Sequence, residues 1–155
     1  MTSDGTRARA LAFLEAHHVV TLATGGAGGP WAAAVFYASR GFTLVFLSAP
    51  ATRHARALAA DPRVAATVQE DTADWRAIRG LQLEGTVREL AGEEAAEARR
   101  LYGSKFPVVG RLEDAPPALV EALARVRWYQ LTPRRLFLVD NAAGFGHRDE
   151  IDLAG

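Results

Sequence analysis

Apolar positions change their period several times along the chain. Across residues 7–15, Ala8, Leu11, Ala12 and Leu14 recur at helical spacing and predict a short N-terminal helix. The period then becomes that of strands. Residues 19–24, 31–39 and 42–48 are runs rich in β-branched and aromatic side chains, divided by the glycine-rich stretch 25–29 and by Arg40-Gly41. Connections this short permit only antiparallel pairing, because a parallel crossover needs a dozen or more residues. Thr52 can cap a short helix that runs to Ala60, Asp61-Pro62 stops it, and residues 64–69 read as a fourth strand. In residues 81–89, Leu81, Leu83, Gly85 and Val87 alternate with Gln82, Glu84, Thr86 and Arg88, the pattern of a half-buried strand.

The second half repeats these devices. A helix from Glu93 to about Tyr102 has acids in its first turn and Arg99-Arg100 near its end, matching the helix dipole, and Phe106-Pro107 ends that segment. Pro116-Pro117 opens another helix through Leu119, Val120, Leu123 and Val126. Residues 128–131 and 136–140 supply two last strands around Thr132-Pro133, and the tail from Asn141 reads as loop. About seven strands in hairpins, with short helices between, predict a mainly β (α+β) chain. Its expected form is a small antiparallel, closed or partly closed β-barrel occupying residues 1–155 as a single domain.

Composition narrows the chemistry. Lys plus Arg and Asp plus Glu each number 18 in 155 residues, so no net field gathers nucleic acid or anionic lipid, and any bound anion must be held locally. All of these cations but Lys105 are arginine. No apolar run approaches the ~18 residues of a membrane span, and residues 2–15 carry no secretory pattern, so the expectation is a cytoplasmic protein. With no cysteine there is no disulfide, thiolate nucleophile or cysteine-held metal. His17-His18 has no ligand partner at metal spacing, none of the four serines lies in a Gly-x-Ser-x-Gly turn, and the 25–29 glycines lead into a strand where a nucleotide loop needs a helix. No residue marks itself as a general base.

The informative segment is Ser48-Ala49-Pro50-Ala51-Thr52-Arg53-His54-Ala55, where a strand ends and a helix begins. Free backbone N–H groups, two hydroxyls, a guanidinium and an imidazole are expected to converge there, a donor set suited to a phosphate dianion. From spacing alone, a plain capped helix with an exposed arginine is an equal alternative.

The same segment, extended to Leu47 and followed by Asp61-Pro62, resembles the Tyr-Thr-Asn-x-x-Ser-Arg-Lys-Ala and Asn-Pro pattern of the pyridoxamine 5'-phosphate oxidase-like flavoproteins. The resemblance covers roughly residues 18–147. Within that superfamily it is nearest the uncharacterised YhbP-like branch, through His18-Val19-Val20-Thr21, Phe36-Tyr37, Thr52-Arg53-His54-Ala55, Arg79-Gly80, Phe106-Pro107 and the closing Asp140-Asn141-x-x-Gly144-Phe145-Gly146. It implies an FMN-binding split β-barrel and a homodimer with the flavin at the subunit interface. Arg53 would bind the FMN phosphate, helped by Ser48, Thr52 and His54, with Leu47 beside them. Ala32, Ala33, Ala34, Val35, Phe36 and Tyr37 would lie along the ribityl chain and ring, where alanines let a planar ring approach the backbone and Phe36 or Tyr37 covers an edge or reaches a polar flavin atom. Plain core packing is the other reading of those alanines. Arg79 and Gly80 would face the flavin pyrimidine or the partner subunit. Trp128, Phe145 and His147 would line the pocket mouth or dimer contact, Trp128 being otherwise core.

Departures from the family pattern matter as much. Where the oxidases bracket the flavin strand with Arg and Lys, this chain has Ala32 and Tyr37. Their second phosphate-site cation is His54, a flavin-contacting Gln is Gly80, an aromatic is Val139, and the Arg-x-His tail is absent. The expectation is therefore an FMN-dependent oxidoreductase acting on an unidentified small molecule, with modest cofactor affinity and without pyridoxamine phosphate oxidase activity. F420 or haem in place of FMN, and a non-enzymatic flavin-carrying sensor, are the alternatives.

Overall fold

A computed structural model describes residues 3–155; Met1 and Thr2, included in the single-domain and leader expectations, lie outside the described residues. Helix α1 (Asp4–Ala16) begins at Ser3, whose hydroxyl accepts from the Thr6 amide at 3.2 Å, and buries Ala10, Phe13 and Leu14. Eight strands follow: β1 (Val19–Thr24), β2 (Trp31–Phe36), β3 (Ala38–Arg40), β4 (Thr43–Ser48), β5 (Arg63–Gln69), β6 (Arg79–Leu90), β7 (Arg127–Asp140) and β8 (Arg148–Glu150). The intervening helices are α2 (Arg53–Ala60), α3 (Gly92–Lys105), α4 (Pro107–Gly110) and α5 (Pro117–Leu123).

The strands form one antiparallel sheet in the order β2-β1-β5-β6-β7-β4-β3, with β8 on β7. Its two edges, β2 and β3, are separated in sequence only by Tyr37, so the sheet must curl until they meet. This is the split barrel expected from the sequence. Leu14, Val20, Leu22, Leu44, Phe46, Leu81, Leu131 and Leu136 fill its interior, each fully buried or nearly so. A second, smaller core of Ala38, Val45, Leu90, Ala98, Tyr102 and Val109 forms where α3 and α4 cover the outside of the sheet.

Helix α5 stops at Leu123, short of the expected Val126, and α3 runs on to Lys105; three further differences concern the strands. Residues 31–39 are two strands, because the Tyr37 side chain turns into the core and its phenol donates to the Leu14 carbonyl at 2.8 Å. Residues 128–131 and 136–140 are one strand. Pro133 lies opposite Gly85, and the register shift there leaves Arg134 as an extra residue, so a bulge absorbs the missing proline N–H. A Cβ on Gly85 would lie 2.9 Å from the Pro133 Cα, so only glycine fits. The tail expected as loop contains β8, held on β7 by pairing of residues 148–150 with Val139, Leu138 and Phe137. No helix among the described residues is long and apolar enough to cross a membrane.

Candidate cofactor site

Strand β4 ends at Ser48, and four residues later Thr52 starts α2. The Thr52 hydroxyl accepts from the Ala55 amide at 3.2 Å and donates to the Ala49 carbonyl at 3.0 Å. The first two amides of the helix, on Arg53 and His54, have no backbone acceptor, and the helix dipole adds partial positive charge there. Ser48 is buried, with its Oγ 2.9 Å from both Thr52 Oγ1 and His54 Nε2. Burial lowers the His54 pKa below its ordinary value, so the neutral ring is favoured beside the Ser48 hydroxyl.

Arg53 departs from this cluster. Its Nη2 donates to the Gly28 carbonyl at 3.1 Å, and the guanidinium carbon lies 4.2 Å from the centroid of the Trp31 ring. The expected convergence on one volume is therefore corrected. Ser48, Thr52 and His54 form one set and Arg53 with Gly28 and Trp31 an adjacent one, because successive helical residues project about 100° apart. The turn before β2 presents the Gly28 carbonyl: Gly29, at φ +85°, donates its N–H to the Gly26 carbonyl at 3.0 Å, a conformation open to glycine.

The β1–β2 register puts Val35, Ala33 and Trp31 opposite Val20, Leu22 and Thr24, which point into the barrel. Ala32, Ala34 and Phe36 therefore share the outer face with Val19, Thr21 and Ala23, and β5 continues that face with Ala65 and Thr67. These positions are uncharged, but Arg63, two residues before Ala65, puts a cation on the same face of β5. Phe36 is 56% exposed and Val19 43%. Thr24, directly across from Trp31, holds the one buried side-chain polar atom among the described residues that has no hydrogen-bond partner.

The remaining expected residues are dispersed. Tyr37 is wholly buried and its phenol is committed to Leu14, so its expected reach to a polar flavin atom is corrected; burial pushes that phenol's pKa far up. Leu47 packs half-buried on the second core. Arg79, at the far end of β6, donates to Glu70 at 2.9 Å and belongs to a cleft of about 310 Å³ with Arg9, Phe13 and His17. Gly80 has no room for a side chain: a Cβ would lie 2.7 Å from the Val68 carbonyl oxygen, which accounts for the absent glutamine. Trp128 packs on Tyr102 in the second core, Phe145 is exposed and meets Trp75 edge to face, and His147 pairs with Asp149 at 3.0 Å. No group of three or more potential metal ligands occurs among the described residues. Sequence reasoning did not include Gly28 and Trp31 in the site; the signal was the position of Trp31, first residue of β2 and just past the glycine turn.

The family described as "Pyridoxamine 5'-phosphate oxidase" matches residues 6–140. A UPF0306 protein of Enterobacter sp. (strain 638) is 35% identical over 138 residues, 88% of this chain and 89% of the relative. Among solved structures, a heme binding protein from Mycobacterium smegmatis superposes with a TM-score of 0.73 at 25% identity, covering 99% of this chain and 60% of its own. A FAD-binding protein from Mesorhizobium loti superposes with a TM-score of 0.63 at 21% identity, covering 87% and 92% of the two chains.

Proposed function

Because the chain belongs to the pyridoxamine 5'-phosphate oxidase family, we propose that it is an FMN-binding flavoprotein, homodimeric, that passes electrons between a nicotinamide-type donor and a small molecule other than pyridoxamine 5'-phosphate. The observation that carries this reading is the start of α2. Two acceptor-free amides and the Ser48–Thr52–His54 cluster lie at the start of α2, and the Arg53 guanidinium extends from that same first turn to Gly28 and Trp31. That donor set matches a terminal phosphate. Each charge-assisted hydrogen bond there contributes on the order of 1.5–3 kcal/mol.

In this reading Arg53 and the two amides hold the phosphate, while the neutral Ser48–His54 pair fixes the cluster without adding a second cation. Ala32 and Ala34 leave the β2 backbone open to a planar ring and Phe36 offers it an aromatic edge. When bound, FMN supplies the redox chemistry, and the chain supplies position and charge. The outer face of β1 and β2, apolar and exposed at Val19 and Phe36, is the surface a second copy would cover, since exposed apolar faces of this kind mark association sites.

The test is the visible spectrum of protein freshly purified and then incubated with FMN, together with mass spectrometry of any ligand released by heat. A yellow protein releasing FMN supports the reading. Release of F420 or haem, or failure to retain FMN after incubation, overturns it. Light scattering reporting a monomer overturns the dimer.

A further inference from the structure

We infer that Trp31 and the Gly28 carbonyl form a latch on Arg53 that opposes the binding of a phosphate-bearing ligand. This rests on the reading of Arg53 as the phosphate-binding group. The guanidinium is engaged twice, by the Gly28 carbonyl at 3.1 Å and by the Trp31 ring at 4.2 Å from its centroid. Both partners belong to the start of β2 and the turn before it. That turn contains four glycines, two of them, Gly26 and Gly29, at positive φ. Besides the Gly29–Gly26 backbone bond and the Thr24–Trp31 pairing at its ends, Arg53 is the side chain that ties this turn to α2.

The two partners act differently on an anion. The Gly28 carbonyl oxygen carries partial negative charge and takes one of the five guanidinium N–H groups, at Nη2, so an anion that needs this N–H must displace it. The Trp31 ring covers a face of the planar group and leaves its edges free, yet it favours the orientation that reaches Gly28. Trp31 is 43% exposed, so its ring has room to swing aside. The partner of Trp31 across the strand pair is Thr24, whose hydroxyl is buried without a hydrogen bond. The site thus has two states, Arg53 latched and Arg53 free, and any ligand that needs Arg53 binds with an affinity reduced by the free fraction. A ligand without phosphate does not draw on Arg53 and is indifferent to the latch.

The experiment compares wild type with Trp31→Leu and, as a milder replacement, Trp31→Phe. Affinities for FMN, riboflavin and inorganic phosphate are measured by calorimetry, and the indole N–H resonance of Trp31 is followed in the wild type as phosphate is added. The expected result is FMN and phosphate binding tightened about two- to tenfold in Trp31→Leu, less in Trp31→Phe. Riboflavin affinity stays unchanged, and the Trp31 indole resonance moves on phosphate addition. FMN binding that is unchanged or weaker in Trp31→Leu overturns the latch while leaving FMN binding intact. Phosphate that tightens and moves the indole in a protein that binds no FMN leaves the latch standing and removes the flavin. Absence of both FMN and phosphate binding overturns both.

Discussion

Arg53 lies against Trp31, its guanidinium carbon 4.2 Å from the ring centroid, although the two residues are 22 positions apart and on different elements. That contact joins the helix that offers phosphate donors to the strand that would lie along a flavin. It makes the hairpin turn before β2 part of the site, where composition alone suggests a passive connection.

Tyr37 separates a structural role from a ligand-binding one. Tyr37→Phe removes the hydrogen bond to the Leu14 carbonyl, which retains a bond from Lys105 at 3.3 Å. The expected cost is about 1 kcal/mol of folding stability, read from the urea midpoint. FMN affinity is expected to stay the same, since the phenol is wholly buried; a loss of affinity would place it back beside the cofactor.

Gly80 is a packing requirement. With the Val68 carbonyl oxygen 2.7 Å from where a Cβ would sit, and backbone unable to yield as a side-chain tip does, Gly80→Ala is expected to cost about 1–3 kcal/mol. Gly80→Gln, which restores the residue type of the oxidases at this position, is expected to lower the denaturation midpoint further and to leave FMN affinity no better.

Stability should fall with acid in a way that depends on His54. Burial lowers its pKa from 6.5 in the folded chain, so below about that pH the unfolded chain takes up a proton that the folded chain resists. The contribution is complete above the ordinary histidine pKa and is lost as pH drops through the window beneath it. Chemical denaturation at about pH 7.5 and about pH 5.5 is expected to show a smaller difference for His54→Gln than for the wild type. An equal difference would mean that His54 is not the group responsible.

Much of the fold was legible before the structure. The alternation from Leu81 to Val87 placed β6, and Thr52 with Asp61-Pro62 bounded α2, because caps and periodicity are local signals. Tyr37 was not legible as a break, since an apolar residue between two apolar runs gives no local mark of turning inward. Pro133 suggested two strands, because the bulge that rescues it depends on Gly85, some 48 positions away. In the site, sequence located Ser48, Thr52, Arg53 and His54 on one helix start but could not assign side-chain direction. Arg53 turns to Trp31 and Gly28 through contacts made only once the sheet has curled.

The most direct test of phosphate recognition at Arg53 is the ratio of FMN to riboflavin affinity in the wild type and in Arg53→Ala, measured by titration at one fixed salt concentration. The wild type is expected to favour FMN by about tenfold or more, and Arg53→Ala to bring the two ligands close to parity while keeping its denaturation midpoint. Equal affinities in the wild type, or a preference for FMN that survives in Arg53→Ala, would contradict the account.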